Sequence, residues 1–506
     1  MKYLIGIDLG TSGTKTVLFD IDGKAIASAT EEYPLHQPHN GWAEQDPADW
    51  WNACILTLKS ILAQSGVNPD DVAGIGFSGQ MHGLVMLDEK HEVIRNSLIW
   101  CDARNAKECE EVTELVGASR LSEITANPAL ASFTAGKLLW VRNNEPENYK
   151  RCRTILLPKD YLRFKLTGQF GMEAADASGM NMLDINTRKW SDEVLKKLDI
   201  NPEILPSVHE SYELAGHITS EAAALTGLKE GTPVAFGAGD NAAAAVGTGV
   251  VENGKAFITI GTSGVVYVHS DKVAVNPDGR VNTFCTANAK WAIFSCTLAA
   301  GLSLQWLRNN FFQDEVNVAQ GLGKDVYDIM TAQAERVPIG ANRLIYLPYL
   351  MGDRSPILDP NARGVFFGLS AMHTKYDMLR SVLEGVTFSQ RQNLDVMKEM
   401  GITFSEIYAT GGGSVSPVWR QMIADVLNVP VTTIQNREGP ALGAAIVAGV
   451  CVGLYPSVAE ACKVIIKTNP QQMPIAENAK KYEDYYQIYT DLYPNMKDSF
   501  AKLAGL

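Results

Sequence analysis

Basic residues are in short supply in this chain: 44 Lys and Arg stand against 57 Asp and Glu in 506 residues, a formal net charge of -13. Nucleic acid and anionic membrane surfaces are both gripped by clustered Lys and Arg, so this balance argues against either as a partner. A single anionic nucleotide needs only a local positive site and stays open. The eight cysteines (54, 101, 109, 152, 285, 296, 451, 462) form no C-x-x-C pair; reduced, mostly buried thiols of a cytoplasmic protein are the plain expectation. No uncharged apolar run is long enough to span a bilayer. The N-terminal run MKYLIGIDLG is short, is broken by Gly6 and Asp8, and lacks a cleavage-site pattern. The pattern G-x-x-x-x-G-K-[ST] is missing, which excludes a P-loop enzyme. A G-x-G-x-x-G match does occur at Gly74–Gly79, but a dinucleotide fold needs a helix to start there. Gly83 and the apolar Leu84–Leu87 instead resume a strand, and the match is rejected.

What is present suits a compact protein: 46% hydrophobic and 20% charged residues. The length predicts two sizeable domains rather than one core. Tyr3–Asp8 reads as a strand, Gly10–Gly13 as a turn and Thr14–Phe19 as a second strand. Asp22-Gly23 then turns the chain into Ala25–Thr30. Asp46 and Pro47 open a helix that Gly66 closes after Ser65. Near mid-chain the opening recurs, with strand Ala256–Ile260, turn Gly261–Gly264 and strand Val265–His269. Both turns are Gly-Thr-Ser-Gly, so two domains on one duplicated plan are predicted, with the boundary between Gly247 and Gly254. Glu406–Thr410 is a strand, Gly411–Gly413 a loop, and Ser416-Pro417 caps a helix to about Leu427. The Tyr- and Lys-rich stretch from Pro474 reads as a helix packing back on the body.

Four groups of residues can carry chemistry. Asp8-Leu-Gly-Thr-Ser-Gly-Thr-Lys15 offers small residues whose backbone N–H groups approach phosphate oxygens, with Thr11 and Ser12 adding donors. Asp8 reads equally as an acid that holds Mg2+ or as an incidental acid of a structural hairpin. The second hairpin, with Gly261 and Thr262, lacks the acid but repeats the donors; two such loops facing each other can grip a polyphosphate. Gly79-Gln-Met-His-Gly83 and Trp100-Cys-Asp-Ala-Arg104 mix hydrogen-bonding and flat apolar side chains, as a polyhydroxylated ligand requires. Taken singly, His82 reads better as a satisfied turn histidine and Trp100 as a core aromatic. Asp240, in Gly237–Ala245, sits at a strand-to-helix junction where it can take a proton from an attacking hydroxyl. On spacing alone a capping role is favoured there. Gly411–Gly413 with Ser414 and Ser416 reads either as a tight turn or as a backbone surface for adenine and ribose.

In order, these motifs resemble the FGGY-type carbohydrate kinases of the actin-like ATPase superfamily, nearly end to end. Ser132–Trp140 and Gly364–Leu369 through Glu384 resemble that family's signature regions. Gly79–Gly83, Trp100-x-Asp-x-Arg104, Leu157–Tyr161 and Gly239-Asp-Asn241 resemble its members that act on D-xylulose. The resemblance implies an α/β fold of two actin-like (ribonuclease H-like) domains with the active site in the cleft between them. Residues 1–250 would bind sugar and 251–506 nucleotide. It implies ATP and Mg2+ as cofactors, a small ketose as partner, and a homodimer by analogy. Asp240 matches the catalytic base, and Asp8 the acid near Mg2+ and the phosphates. Met81, His82 and Asn241 match the ketose site, to which Trp100, Asp102 and Arg104 are added. Thr11, Ser12, Lys15, Gly261, Thr262, Gly411, Gly412 and Ser416 fall to the nucleotide, with Trp306 as a wall of the adenine pocket. One departure is visible: Asp353 stands where Glu is expected before Arg354-Ser-Pro, which puts local geometry in doubt. Another sugar or polyol (ribulose, glycerol, gluconate) is the rival substrate. An actin-like nucleotide switch and a sugar-binding regulator without catalysis are the rivals from other classes.

Overall fold

The computed structural model describes residues 2–436 and 438–506, and two central sheets organise it. The first grows from the N-terminal meander. Strands β1 (Tyr3–Leu9), β2 (Gly13–Asp20) and β3 (Ala25–Glu32) pair antiparallel in sequence order, with Asp8 opposite Lys15 across the first turn. Helix α1 (Pro47–Ser65) begins where the Asp46 carboxylate accepts the Ala48 N–H and ends at Gly66, φ 63°. That left-handed corner suits a residue without a Cβ. Strand β4 (Val72–Gly79) returns parallel to β1 and sets Ser78 beside Asp8. The Gly74–Gly79 segment is therefore sheet interior, as its strand context predicts.

Much of the chain from Gln80 to about Glu210 folds on a second apolar core, in which Leu84, Met86, Leu138, Leu139 and Met180 are buried, while Tyr161, Leu162 and Leu166 join the core of the first sheet. This stretch carries helices α2 (Thr134–Asn144), α3 (Pro158–Thr167) and α4 (Ala174–Ala177). The chain then rejoins the first sheet through β5 (Leu214–His217), β6 (Pro233–Ala235) and β7 (Ala238–Gly239). The order is β5-β6-β4-β1-β2-β3, with β7 pairing the C-terminal end of β4.

Helix α5 (Asp240–Thr248) leads across to the second sheet. Its strands are β8 (Gly254–Ile260), β9 (Gly264–Ser270), β10 (Asn282–Cys285) and β11 (Trp291–Thr297). After helices α6 (Gly301–Phe311) and α7 (Lys375–Glu399) come β12 (Phe404–Thr410), helix α8 (Pro417–Leu427) and β13 (Val431–Thr432). The order is β10-β11-β9-β8-β12-β13. Strand β8 pairs antiparallel with β9 and parallel with β12, as β1 does with β2 and β4. The two Gly-Thr-Ser-Gly turns thus occupy equivalent places in two sheets of one plan.

Helix α9 (Gly439–Cys451) belongs to the second half of the chain yet packs on β1, β4 and α5. Its approach is close: a Cβ on Gly6 would lie 1.9 Å from the Ala441 carbonyl oxygen, and one on Gly76 2.0 Å from that of Ala444. Only glycine permits helix and sheet backbones to meet so tightly. The last helix, α10 (Ala476–Ala504), covers α7 and α8 and buries Tyr482, Tyr486 and Tyr489, as the tyrosine-rich tail predicts. No helix among the described residues is long and apolar enough to cross a membrane.

Candidate active site

Strand β1 delivers Asp8 to the edge of the first Gly-Thr-Ser-Gly turn. Ser78 donates to its Oδ1 at 2.7 Å. Burial raises the Asp8 carboxyl above its ordinary range, while the Ser78 hydrogen bond and the Lys15 charge pull the other way. Gln45 braces the hairpin by donating to the Thr11 carbonyl at 2.7 Å. Trp100, exposed at 39%, donates its indole N–H to Thr11 Oγ1 at 2.9 Å. The second turn is tied to the start of α6: Gly301 N–H donates to the Gly261 carbonyl at 2.7 Å, and the Ala300 and Leu302 N–H groups donate to that of Thr262.

Asp240 opens α5, but the structure corrects the capping expectation: Gly239 holds the N-cap position and no side chain caps it. The Asp240 carboxylate turns instead to its neighbour, accepting the Asn241 N–H at 2.6 Å and its side-chain amide at 2.8 Å. Enclosure pushes Asp240 up to about 7, with the charge of Asp8 adding to the effect. An acid tuned to that range is half ionised near neutrality and well matched to general-base work. Met81 stands against this turn, its sulfur 4.0 Å from Asn241 Nδ2. A Cβ on Gly239 would come within 2.8 Å of Met81 Cγ. His82, at φ 68°, donates from Nδ1 to the Gly179 carbonyl at 3.0 Å. Burial lowers its pKa well below the usual imidazole value, so the ring is neutral and Nε2 is left in acceptor form. The structure brings Asp8, Asp240, Asn241, Met81 and His82 into one neighbourhood.

Two of the residues expected at the sugar form a buried ion pair. Asp102 is 1% exposed and accepts the Ala43 N–H, while Arg104 grips it through Nε and Nη2 and also pairs with Glu44. The Arg104 guanidinium lies 3.6 Å over the Trp42 ring. With its charge matched and its face covered, the pair is a closed brace that holds the Trp100 loop. Asp102 and Arg104, expected at the ligand, are thus engaged with each other and with Glu44. Their partners, Trp42, Ala43 and Glu44, are some sixty residues away in the chain, where no motif announces them.

A buried charged cluster backs the Gly239–Asp240 turn. Lys159 on α3, fully enclosed, lies 2.9 Å from Asp160, 3.2 Å from Glu173 and 3.4 Å from Asp176. Glu173 caps α4 by accepting the Ala175 and Asp176 N–H groups. Asp176 in turn backs the Gly239–Asp240 turn, its Cγ 3.5 Å from where a Gly239 Cβ would be. The available signal was Lys159-Asp160 lying between Leu157 and Tyr161, a charge pair inside an apolar stretch. Arg354 donates to Ser132 Oγ at 3.3 Å. Asp353 keeps its carboxylate within its own loop, where Oδ2 accepts the Ile357 N–H, and burial pushes it up to about 8.

Two adjoining cavities complete the site. One, of about 1170 Å3, runs from Asp240 and Asn241 past Thr259 and Thr410 to Gly411, Gly412 and Ser414. The other, of about 450 Å3, is lined by Gly261, Thr262, Gly412, Gly413, Ser416 and the α6 residues Leu304 and Gln305. Gly412 lines both. Gly411 turns at φ 76°, where a Cβ would sit 2.7 Å from the Ile260 carbonyl oxygen. Trp306 is not on this wall. One residue further round the helix than Gln305, its ring packs against Phe311 and Phe366.

Residues 3–247 match the N-terminal domain, and residues 256–452 the C-terminal domain, of the FGGY family of carbohydrate kinases. The chain is 38% identical to a xylulose kinase of Bacillus subtilis (strain 168) over 98% of each sequence. A solved ligand-bound xylulose kinase from Lactobacillus acidophilus superposes with a TM-score of 0.92 at 28% identity, covering 99% of this chain and 100% of that one. A gluconate kinase from the same organism fits equally well, with a TM-score of 0.92 at 29% identity over 99% of each.

Proposed function

The chain belongs to the FGGY family of carbohydrate kinases, and from that premise we infer that it transfers the γ-phosphoryl group of ATP to the terminal hydroxyl of D-xylulose, giving D-xylulose 5-phosphate. The observation that carries the reading is the Asp240 carboxylate, poised near neutrality at the end of a cavity that reaches the glycine loop. Met81 and the neutral His82 would form the sugar side, with His82 Nε2 accepting a hydroxyl. Asn241 would hold Asp240 in place. The smaller cavity would take adenine and ribose, bringing the phosphates between the two Gly-Thr-Ser-Gly turns.

Phosphoryl transfer asks a protein chiefly for alignment and charge stabilisation. The backbone N–H groups of both turns, with Thr11, Ser12, Thr262 and Lys15, would supply donors around the phosphates. Asp8 fits a magnesium site: Ser78 occupies one oxygen and the other is left for the ion, which typically takes one or two carboxylates and keeps its remaining positions for water and phosphate. Bound there, Mg2+ would neutralise charge on the phosphates. Asp240 would accept the hydroxyl proton as the sugar oxygen attacks. Because the two sheets flank the cleft, their approach would exclude water, the competing acceptor.

The test is ADP release with MgATP against D-xylulose, L-ribulose, D-ribulose, glycerol and gluconate, with Asp240→Ala and a no-sugar blank alongside. Turnover dependent on D-xylulose and lost in Asp240→Ala is the expected result. Preference for gluconate, the substrate named for a structure that fits equally well, would keep the chemistry and overturn the sugar. ADP release indifferent to every sugar would sink the kinase reading for this panel.

A further inference from the structure

Glu438 immediately precedes α9 and reaches the first hairpin, where its carboxylate is ion-paired with the Lys15 ammonium. Lys15 is the cation that β2 carries directly opposite Asp8. Under the kinase reading, on which this inference rests, that cation serves the incoming phosphates. The loop ahead of α9 holds Glu438 in place. Asn436 Oδ1 accepts the Glu438 N–H at 2.9 Å, while the Asn436 amide donates to the Gly23 carbonyl at 2.8 Å. Glu438 is thereby tied, through Asn436, to the β2–β3 turn. Glu438 is also close enough to Asp8 to raise that carboxyl's pKa, against the opposing pull of Lys15. One flexible ammonium is thus paired with Glu438 while its charge also acts on Asp8. The Glu438 oxygen in the pair is enclosed, but Lys15 is 37% exposed, so the pair can open from the lysine side. A lysine, with three donors on a mobile stem, can change partners without moving the backbone.

We propose that Glu438 is a positioning residue that holds Lys15 off the phosphate path in the nucleotide-free protein, and that the phosphates bind by displacing it. The exchange replaces one carboxylate partner of Lys15 with phosphate oxygens, so part of the attraction between Lys15 and nucleotide is spent breaking the existing pair. Nothing of this kind restrains the second hairpin, where no lysine occupies the corresponding strand position: Val265 and Val266 follow Gly264 there, against Thr14 and Lys15 after Gly13.

The experiment is calorimetric titration of the full chain with ADP in the presence of Mg2+, for wild type, Glu438→Gln, Lys15→Met and the double variant. Glu438→Gln should tighten ADP roughly twofold to fivefold, the range that a partly exposed ion pair is worth. The KM for ATP should fall with it, and the KM for sugar should hold. In the Lys15→Met background the same substitution should change ADP affinity little. ADP binding that weakens or stays constant in Glu438→Gln would overturn the proposal. So would equal tightening with and without Lys15, which would make Glu438 merely a repelling charge. Glu438→Asp, whose shorter carboxylate reaches Lys15 less well, should fall between wild type and Gln, and it serves if the Gln variant melts early. Failure of the kinase reading is separable: wild type would then bind ADP but release none on any sugar.

Discussion

Replacing Asp240 with Asn should cost activity and add stability, and the added stability should depend on pH. Asn keeps an oxygen that can accept from the Asn241 N–H and amide, as Asp240 does, but it cannot ionise. The Asp240 carboxyl rises from its ordinary 3.8 to about 7 in the fold, so between about pH 4 and pH 7 the native state holds a proton that the unfolded chain has released. Stability therefore falls as pH rises through that window. Three units at about 1.4 kcal/mol each set a ceiling of ~4 kcal/mol. The carboxylate opens on a cavity, so solvent screening reduces this to ~2 kcal/mol at pH 8. At ~2–4 °C per kcal/mol for a large domain, Asp240→Asn should melt about 4 °C or more above wild type at pH 8. At pH 5 about a third of that difference should already be present, because the unfolded chain has released the proton while the fold still holds it; the two proteins should coincide only below about pH 4, where the carboxyl is protonated in both states. The same variant should lose ~10²–10⁴-fold in kcat, the range attributed to a general base, and the wild-type rate should decline below about pH 7. Scanning fluorimetry of both proteins from pH 5 to pH 8, beside a pH–rate profile, checks all of this. A melting difference flat with pH, or a wild-type rate flat through neutrality, would refute the assignment of an enclosed, raised carboxyl to the catalytic role.

Gly239→Ala should press on Met81, since the new Cβ would lie 2.8 Å from its Cγ; the sugar KM should rise about tenfold with the ATP KM unchanged in steady-state assays. Gly301→Ala should do the converse, because its Cβ would lie 2.4 Å from the Gly261 carbonyl oxygen; the ATP KM should rise while sugar binding by calorimetry holds. Lys159→Met should leave Asp160, Glu173 and Asp176 enclosed without their shared cation, costing ~3–5 kcal/mol and appearing as a large drop in melting temperature. Trp306→Phe should leave the ATP KM within about twofold of wild type, because the ring packs on Phe311 and Phe366 rather than on the cavity.

The hairpins were legible because each is a short apolar run broken by Gly-Thr-Ser-Gly, a signal contained within about fifteen residues. The caps of α1 and α8 were legible for the same reason, with Asp46-Pro47 and Ser416-Pro417 satisfying backbone donors locally. The surroundings of Arg104 were not legible because they are not local: its charge is matched by Glu44 and its face covered by Trp42 and Trp140. The packing of Trp306 on Phe311 and Phe366 was not legible, because one helical step is about 100° of rotation, which a loosely phased helix cannot resolve. The packing of α9 was invisible for a different reason. Ala441 to Gly449 are all buried, so the helix is apolar all round and no face declares its partner.

The position of α9 bears on how the molecule is made. A ribosome that has released only the first 250 residues has produced β1, β4 and α5, but not the helix that covers them. Their shared face, including the bare backbone at Gly6 and Gly76, must wait for almost two hundred more residues to emerge. At ~5–20 residues per second that interval is on the order of ten seconds or more. The nascent first half is therefore the natural client for a holding chaperone, and expressed alone it should aggregate. Supplying a separate fragment that carries α9 should rescue it.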